Sequence, residues 1–297
     1  MEGKLAAQTR SLLNKYNLRP KKRFGQNFLV DERIIQGILA AARLSPEDTV
    51  VEIGPGLGGL TVQLVQRAGR VLAVEVDGAL IPPLKEQLAS YPGFRLLQQD
   101  ILKLDLDGAV AEAFGPITQP YKVVANLPYY ITTPILMRLL EEKYQINIML
   151  LMMQKEVGER IKAAPGTKDY GALSVAVQYY TVPELVLRVP PSSFKPAPEV
   201  ESVVMRLTKR EVPAVVTKDE KLFFQVVRAS FGQRRKTLAN GLASFFTSLP
   251  KDQIICLLEK INIDPGIRGE QLGLADFAGI ADALYELLNA EGLRESR

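Results

Sequence analysis

The chain has 297 residues, 47% of them hydrophobic, and a net charge of +4; it contains no histidine, no tryptophan and one cysteine. That apolar content is enough for a full core, and the length predicts two domains. Without histidine, the sequence excludes imidazole bases, Ser-His and Cys-His nucleophile pairs and any His/Cys zinc site, so no metal is expected, and lone Cys256 suits a reducing cytosol.

The charge is unevenly spread. Residues 1–30 carry seven cations (Lys4, Arg10, Lys15, Arg19, Lys21, Lys22, Arg23) against Glu2, so the other 267 residues carry a net −2. A basic arm on a nearly neutral body reads as a phosphate-binding feature. No continuous apolar stretch interrupts the arm, so a secretory signal is not expected. The longest apolar run, Ile148 to Met153, falls far below the ~20 residues needed to span a bilayer.

After the arm, Val50 to Ile53 reads as a short buried strand running into Gly54-Pro55-Gly56-Leu57-Gly58-Gly59, with a helix-like stretch from Leu60 to Arg67. Glycines at a strand-to-helix junction allow a ligand to approach the backbone closely. A second strand, Val71 to Val74, ends in Glu75, 21 residues after Gly54 and placed to accept hydrogen bonds from ribose hydroxyls. The glycines also satisfy G-x-G-x-x-G, which leaves a nicotinamide cofactor open. Glu52 before the loop and Asp100 after the third strand (94–98) favour a cationic donor, S-adenosylmethionine, over a pyrophosphate.

The fourth strand, 122–126, gives out at Asn126-Leu127-Pro128-Tyr129. An adenine amino nitrogen is a poor nucleophile because its lone pair is delocalised into the ring. The Asn126 amide oxygen and the Leu127 carbonyl could accept its N–H groups, Tyr129 could stack on the ring, and Pro128 stiffens the turn. Further strands fall near 147–152, 185–189 and 202–207. Strands alternating with helices predict a mainly parallel α/β sheet covered on both faces. Charges and Pro213 break the pattern between Lys209 and Lys218, where the domain boundary is placed. Beyond it, amphipathic stretches at 219–231, 235–246, 251–261 and 276–290 predict a small helical domain. Arg228, Arg234, Arg235 and Lys236 put four cations and no acid into nine residues there, a second candidate RNA-phosphate site alongside Lys21, Lys22 and Arg23.

Taken in order, Lys22–Leu29, Glu52–Gly56, Val74–Asp77, Gln99–Leu102, Asn126–Tyr129, Phe194–Val204 and Phe231–Leu238 resemble the successive motifs of the ribosomal RNA adenine N6-dimethyltransferases, with the bacterial small-subunit type fitting best. The resemblance spans residues 10 to about 245. It implies a Rossmann-like, seven-stranded class I S-adenosylmethionine-dependent methyltransferase domain with its last strand antiparallel, at residues 31–209. A basic arm and cofactor lid (1–30) would precede it and a helical RNA-binding domain (210–297) follow. It further implies that Asn27, Leu29, Gly54, Glu75, Asp100 and Asn126 contact S-adenosylmethionine, that Gln26 and Phe28 shape a lid, and that Phe194 closes over the target base opposite Tyr129. Tyr130 is expected to be structural. The expected activity is N6,N6-dimethylation of two neighbouring adenosines in a 3'-terminal hairpin of 16S ribosomal RNA, within the small subunit or its precursor, by a cytoplasmic monomer. A large-subunit RNA methyltransferase of the macrolide-resistance type and a non-catalytic ribosome-assembly factor remain as alternatives.

Overall fold

In the computed structural model, residues 3–21, 24–233 and 235–291 are described; Lys22, Arg23 and Arg234 lie outside them. The chain divides into two units, one of Met1–Gly158 with Val182–Lys209 and the other of Glu159–Thr181 with Arg210–Arg297. The break after Lys209 falls where charges and Pro213 interrupt the strand pattern. Segment 159–181, expected from the sequence to belong to the first domain, groups instead with the second unit.

In chain order the first unit contains α1 (Lys4–Lys15), β1 (Phe28–Leu29), α2 (Glu32–Ala42), β2 (Thr49–Ile53), α3 (Thr61–Leu64), β3 (Arg70–Glu75), α4 (Ile81–Leu88) and β4 (Phe94–Gln98). It continues with α5 (Leu106–Phe114), β5 (Tyr121–Asn126), α6 (Thr132–Glu141) and β6 (Ile146–Gln154). Helix α7 (Lys155–Lys162) and strand β7 (Thr181–Val189) each cross the division, separated by α8 (Ala172–Tyr180) of the second unit. Strands β8 (Phe194–Lys195) and β9 (Ser202–Lys209) complete the first unit. The seven strands expected from the sequence form one sheet, in the order β4-β3-β2-β5-β6-β9-β7. Neighbours from β4 to β6 pair in parallel, and β9 runs antiparallel to β6.

Val50, Val51 and Ile53 of β2 and Val123, Val124 and Ala125 of β5 are buried, as strands covered on both faces must be. Ile35, Ile38 and Leu39 of α2 pack into one core with Val124, Leu150 and Met152. Full burial of each such side chain contributes roughly 1.5–3 kcal/mol. Chain order in the sheet reverses between β2 and β5, and a crevice at the carboxyl ends of the strands is the usual ligand site of such sheets. The helix after the glycine loop is shorter than the 60–67 stretch expected: α3 ends at Leu64 and turns follow. β1 and β8 form a separate antiparallel ladder, Leu29 opposite Phe194, that the sequence pattern did not predict.

The second unit contains α8, α9 (Glu220–Phe231), α10 (Leu238–Phe245), α11 (Lys251–Lys260) and α12 (Leu274–Ala290). Aromatic packing explains why α8 belongs here. Tyr179 stacks on Phe223 with ring centroids 4.8 Å apart, and Tyr180 on Phe224 at 5.5 Å. The Asp219 carboxylate caps α9 by accepting the Leu222 N–H at 3.0 Å. Among the described residues no helix is long and apolar enough to cross a membrane.

Candidate active site

The carboxyl ends of β2, β3 and β5 open into a pocket lined on one side by Glu52, Gly54, Gly56, Glu75, Val76 and Asp100, and on the other by Asn126, Leu127, Pro128, Tyr129 and Tyr130. Phe24, Gly25, Gln26, Asn27, Phe28 and Leu29 of the arm also line it. Every cofactor-contacting, base-contacting or lid residue expected from the sequence and its resemblance is in this lining except Phe194.

The glycine loop owes its path to left-handed backbone at Gly54 (φ 71°) and Gly56 (φ 61°). A Cβ on Gly56 would sit 3.1 Å from the Phe28 ring, so the loop and the arm close on each other there. The Gly54 N–H donates to the Val74 carbonyl at 2.9 Å, fastening the loop to β3. Glu75, at the end of β3, accepts the Asp77 N–H at 2.8 Å and the Gly56 N–H at 3.4 Å. Burial pushes its carboxyl up, and these backbone donors work against that rise.

Glu52 is 2% exposed, and its Oε2 has no hydrogen-bond partner among the described residues. Burial pushes it up to about 8, opposed by the neighbouring Thr61 hydroxyl and reinforced by the nearby Glu75 charge. An orphaned buried carboxylate oxygen facing a pocket beside a second acid is the environment a cationic ligand would relieve, and a pyrophosphate would not. The residues present therefore fit a sulfonium donor with an ammonium tail. Asp100 uses Oδ1 to accept the Leu102 N–H at 3.0 Å, which leaves its other oxygen for a ligand amine. Among the described residues no His/Cys/Asp/Glu group is arranged to hold a metal.

On the opposite wall the Asn126 Nδ2 donates to the Asn27 carbonyl at 3.1 Å. With the nitrogen committed, the amide oxygen is the end left to accept from a substrate amine. The Leu127 N–H donates to the Met152 carbonyl at 3.1 Å and its side chain is buried, so only its backbone carbonyl can serve the ligand. Tyr129 is half-buried, with its hydroxyl 2.7 Å from Ser202 Oγ of β9; burial raises its phenol above the usual range, and the anchored ring presents a fixed face.

Two side chains are placed differently from the sequence expectation. Phe194 is 1% exposed, paired across from Leu29 and packed in the core with Leu29, Ile35 and Val189. It is not part of the pocket lining, and bringing it over a base there would forfeit roughly 1.5–3 kcal/mol of burial. Tyr130, expected to be structural, is 57% exposed at the pocket rim, with its ring against Gly25. Of the cations, Arg228, Arg235 and Lys236 are exposed in the second unit, whereas Lys21 is paired with Asp77. Sequence reasoning gave Asp77 no role, although it closes the Val74–Asp77 motif; its only signal was an acid two residues after the strand-ending Glu75.

A seven-stranded sheet of this order, with acids at the ends of β2 and β3 and a glycine loop between them, is that of a class I methyltransferase. The profile of the family "Ribosomal RNA adenine dimethylase" matches residues 17–281, and the chain belongs to that family. The Ribosomal RNA small subunit methyltransferase A of Geobacillus thermodenitrificans (strain NG80-2) is 50% identical over 285 residues, covering 94% of this chain and 96% of that protein. The protein of the same name from Moorella thermoacetica is 52% identical over 280 residues, covering 93% and 96%. Among solved structures, a dimethyladenosine transferase from Plasmodium falciparum superposes with a TM-score of 0.73 at 26% identity, covering 89% of this chain and 98% of that one. The 23S rRNA methyltransferase ErmE gives 0.65 at 27% identity, covering 87% and 100%. The nicotinamide alternative falls with this membership: the chain is an rRNA adenine dimethyltransferase.

Proposed function

We propose that this chain transfers methyl groups from S-adenosylmethionine to the N6 amines of two adjacent adenosines in the 3'-terminal hairpin of 16S ribosomal RNA. It does so as a cytoplasmic monomer acting on the small subunit or its precursor, as a step of ribosome biogenesis. The observation that carries this reading is that one pocket joins an acidic donor side, Glu52, Glu75 and Asp100, to an amide-and-aromatic acceptor side, Asn126 to Tyr129. The shared name of the small-subunit relatives supports the choice of subunit.

S-adenosylmethionine supplies, when bound, a methyl group already activated on a sulfonium. Glu75 accepts from the ribose hydroxyls and Asp100 from the cofactor's adenine amine, while Gly54, Asn27 and Leu29 shape the backbone walls around them. The Asn126 amide oxygen and the Leu127 carbonyl would accept the N–H groups of the target amine and favour a pyramidal nitrogen, whose lone pair is then no longer delocalised into the ring and is free to take the methyl group. Tyr129 stacks on the base, worth about 1–3 kcal/mol, which offsets the few kcal/mol needed to flip an adenine out of its helix. The methylated nitrogen is acidic enough to lose its proton to solvent, in keeping with a site whose amine-facing residues carry no base. Exposed Arg228, Arg235 and Lys236, together with Arg234, Lys22 and Arg23, neutralise RNA phosphates.

Incubation of the protein with methyl-labelled donor and unmethylated small subunits, followed by mapping of modified bases, tests the reading. Label should appear at two adjacent adenosines near the 3' end of the small-subunit RNA. Label in large-subunit RNA only, or none above background, would overturn it.

A further inference from the structure

Lys21 was expected to meet RNA phosphate, yet its ammonium is already committed inside the protein. Its Nζ donates to Asp77 Oδ1 at 2.7 Å, and the Gln26 Nε2 donates to Asp77 Oδ2 at 2.9 Å. Gln26 closes the ring by accepting the Lys21 backbone N–H on its Oε1 at 2.8 Å. The Lys21 side chain is 35% exposed and that of Asp77 5%. Asp77 also takes the Ala79 N–H at 3.1 Å. Burial works upward on this carboxyl, but Lys21, Gln26 and Ala79 outweigh it and hold it below the usual carboxylate range.

An exposed ion pair contributes little, whereas a buried carboxylate deprived of its cation is costly. Asp77 is of the second kind, and it leads directly into the donor pocket. Its N–H orients Glu75 Oε1 at 2.8 Å, while the other Glu75 oxygen takes the Gly56 N–H at 3.4 Å. On the arm side, the Lys21 ammonium lies 5.8 Å from the Phe24 ring centroid, and Phe24 lines the pocket. Farther along, Asn27 offers its carbonyl to Asn126 at 3.1 Å, and Phe28 and Leu29 pair with β8. Segment 24–29 is thus fastened at its far end by strand pairing and at its near end by Asp77.

We infer that Lys21, Gln26 and Asp77 form a latch that holds arm residues 24–29 against the methyl-donor pocket, and that Lys21 is a positioning residue for that pocket and not a phosphate contact. The identity of the donor rests on the proposed function; the fastening of the arm does not. The latch sets two groups at once, Glu75 through the Asp77 N–H and Asn126 through the Asn27 carbonyl. Donor affinity and target-amine geometry therefore share one dependence on the arm.

The test uses the full chain with Lys21→Met, which keeps the aliphatic stem, with Lys21→Arg as the conservative variant and with Asp77→Asn. S-adenosylhomocysteine is titrated by calorimetry, amide hydrogen exchange is followed over residues 24–29, and binding to small-subunit RNA is measured against salt. Lys21→Met and Asp77→Asn should each weaken S-adenosylhomocysteine about tenfold, as removal of one charge-assisted hydrogen bond does. Both should speed exchange over 24–29, Lys21→Arg should restore most of both, and the salt slope should stay at the wild-type value. If Lys21→Met instead lowers the slope by about 0.7–0.9 and leaves exchange and ligand affinity unchanged, Lys21 is a phosphate contact and the latch is wrong. Should Asp77→Asn fail to fold, Lys21→Met decides alone. Wild-type protein that does not bind S-adenosylhomocysteine would count against the proposed donor, and the exchange measurement would still decide the latch.

Discussion

Glu52, Glu75 and Asp77 stand at or just beyond the ends of β2 and β3 and are at most 5% exposed, with backbone or side-chain donors fixing all of Glu75 and Asp77. In the helical unit, Arg228, Arg235 and Lys236 are exposed, and Lys236 reaches Ser244 Oγ only at 3.5 Å. The two regions use charge in opposite ways. A site that must tell one small cation and one amine from all others buries its acids, so that each hydrogen bond acts at low dielectric and each misplacement is costly. A surface that meets a polyanion of any sequence keeps its cations hydrated and movable, because counterion release supplies the affinity. Lys21 shows that position in a basic run does not decide which kind a cation is; a buried partner does.

Breaking the pocket at its acceptor side should have the largest effect. Asn126→Ala should reduce methyl transfer on the order of 100-fold or more while leaving S-adenosylhomocysteine affinity within about tenfold, since its oxygen acts mainly on the reacting amine. Equal loss of ligand affinity and rate, measured by calorimetry and single-turnover transfer, would make Asn126 a cofactor residue instead. Next, Glu75→Ala should weaken the ligand about 10- to 100-fold, because charged hydrogen bonds of ~1.5–3 kcal/mol each are removed. Unchanged affinity in the same titration would move the ribose site elsewhere.

The exposed cations should answer differently. Replacing Arg228, Arg235 and Lys236 with Ala should weaken small-subunit RNA binding severalfold to tenfold at moderate salt and reduce the salt slope by about 0.7–0.9 for each phosphate no longer neutralised. Ligand affinity should not move. A slope equal to that of the wild type would show these side chains to be only solvated.

The smallest effect, on stability, sharpens the contrast from the buried side. Glu52 sits at about 8 in the folded protein against an ordinary value of 4.5, so the folded state binds a proton that the unfolded chain releases. Stability of the ligand-free protein should therefore fall as pH rises through that window and level off above it. After relaxation and water entry, a loss on the order of 1 kcal/mol would lower Tm by about 2–4 °C. Glu52→Gln should flatten most of the slope in thermal melts at pH 5, 7 and 9, leaving the part of the same sign that the raised Glu75 contributes. A slope that persists undiminished in the variant would assign it to other groups.

Much of the fold was legible in the sequence because the sheet writes itself in two local codes. Buried parallel strands are continuous apolar runs, and the residues that end them, Glu75 and Asn126 among them, must lie on the carboxyl rim where the chain turns. The four helical stretches beyond residue 218 were equally local, each set by its amphipathic period. Segment 159–181 was misplaced because its allegiance lies in Tyr179 and Tyr180 meeting Phe223 and Phe224, partners distant in sequence that no periodicity marks.

The order of strands and helices, the glycine turns that need positive φ and the chemical types gathered at strand ends are all written along the chain, since each follows from short-range sterics and burial period. Exposure is not written there and came with the fold. Phe194 and Tyr130 are both aromatic residues beside prolines or turns, yet the pairing of β1 with β8 buries the first, and the rim beside Gly25 leaves the second in water. Lys21 and Arg235 are both cations in basic runs, yet the first is held by a buried Asp77 while the second stays exposed. Burial and pairing depend on which distant residues arrive at the same place, and a linear pattern carries that information only through the fold it produces.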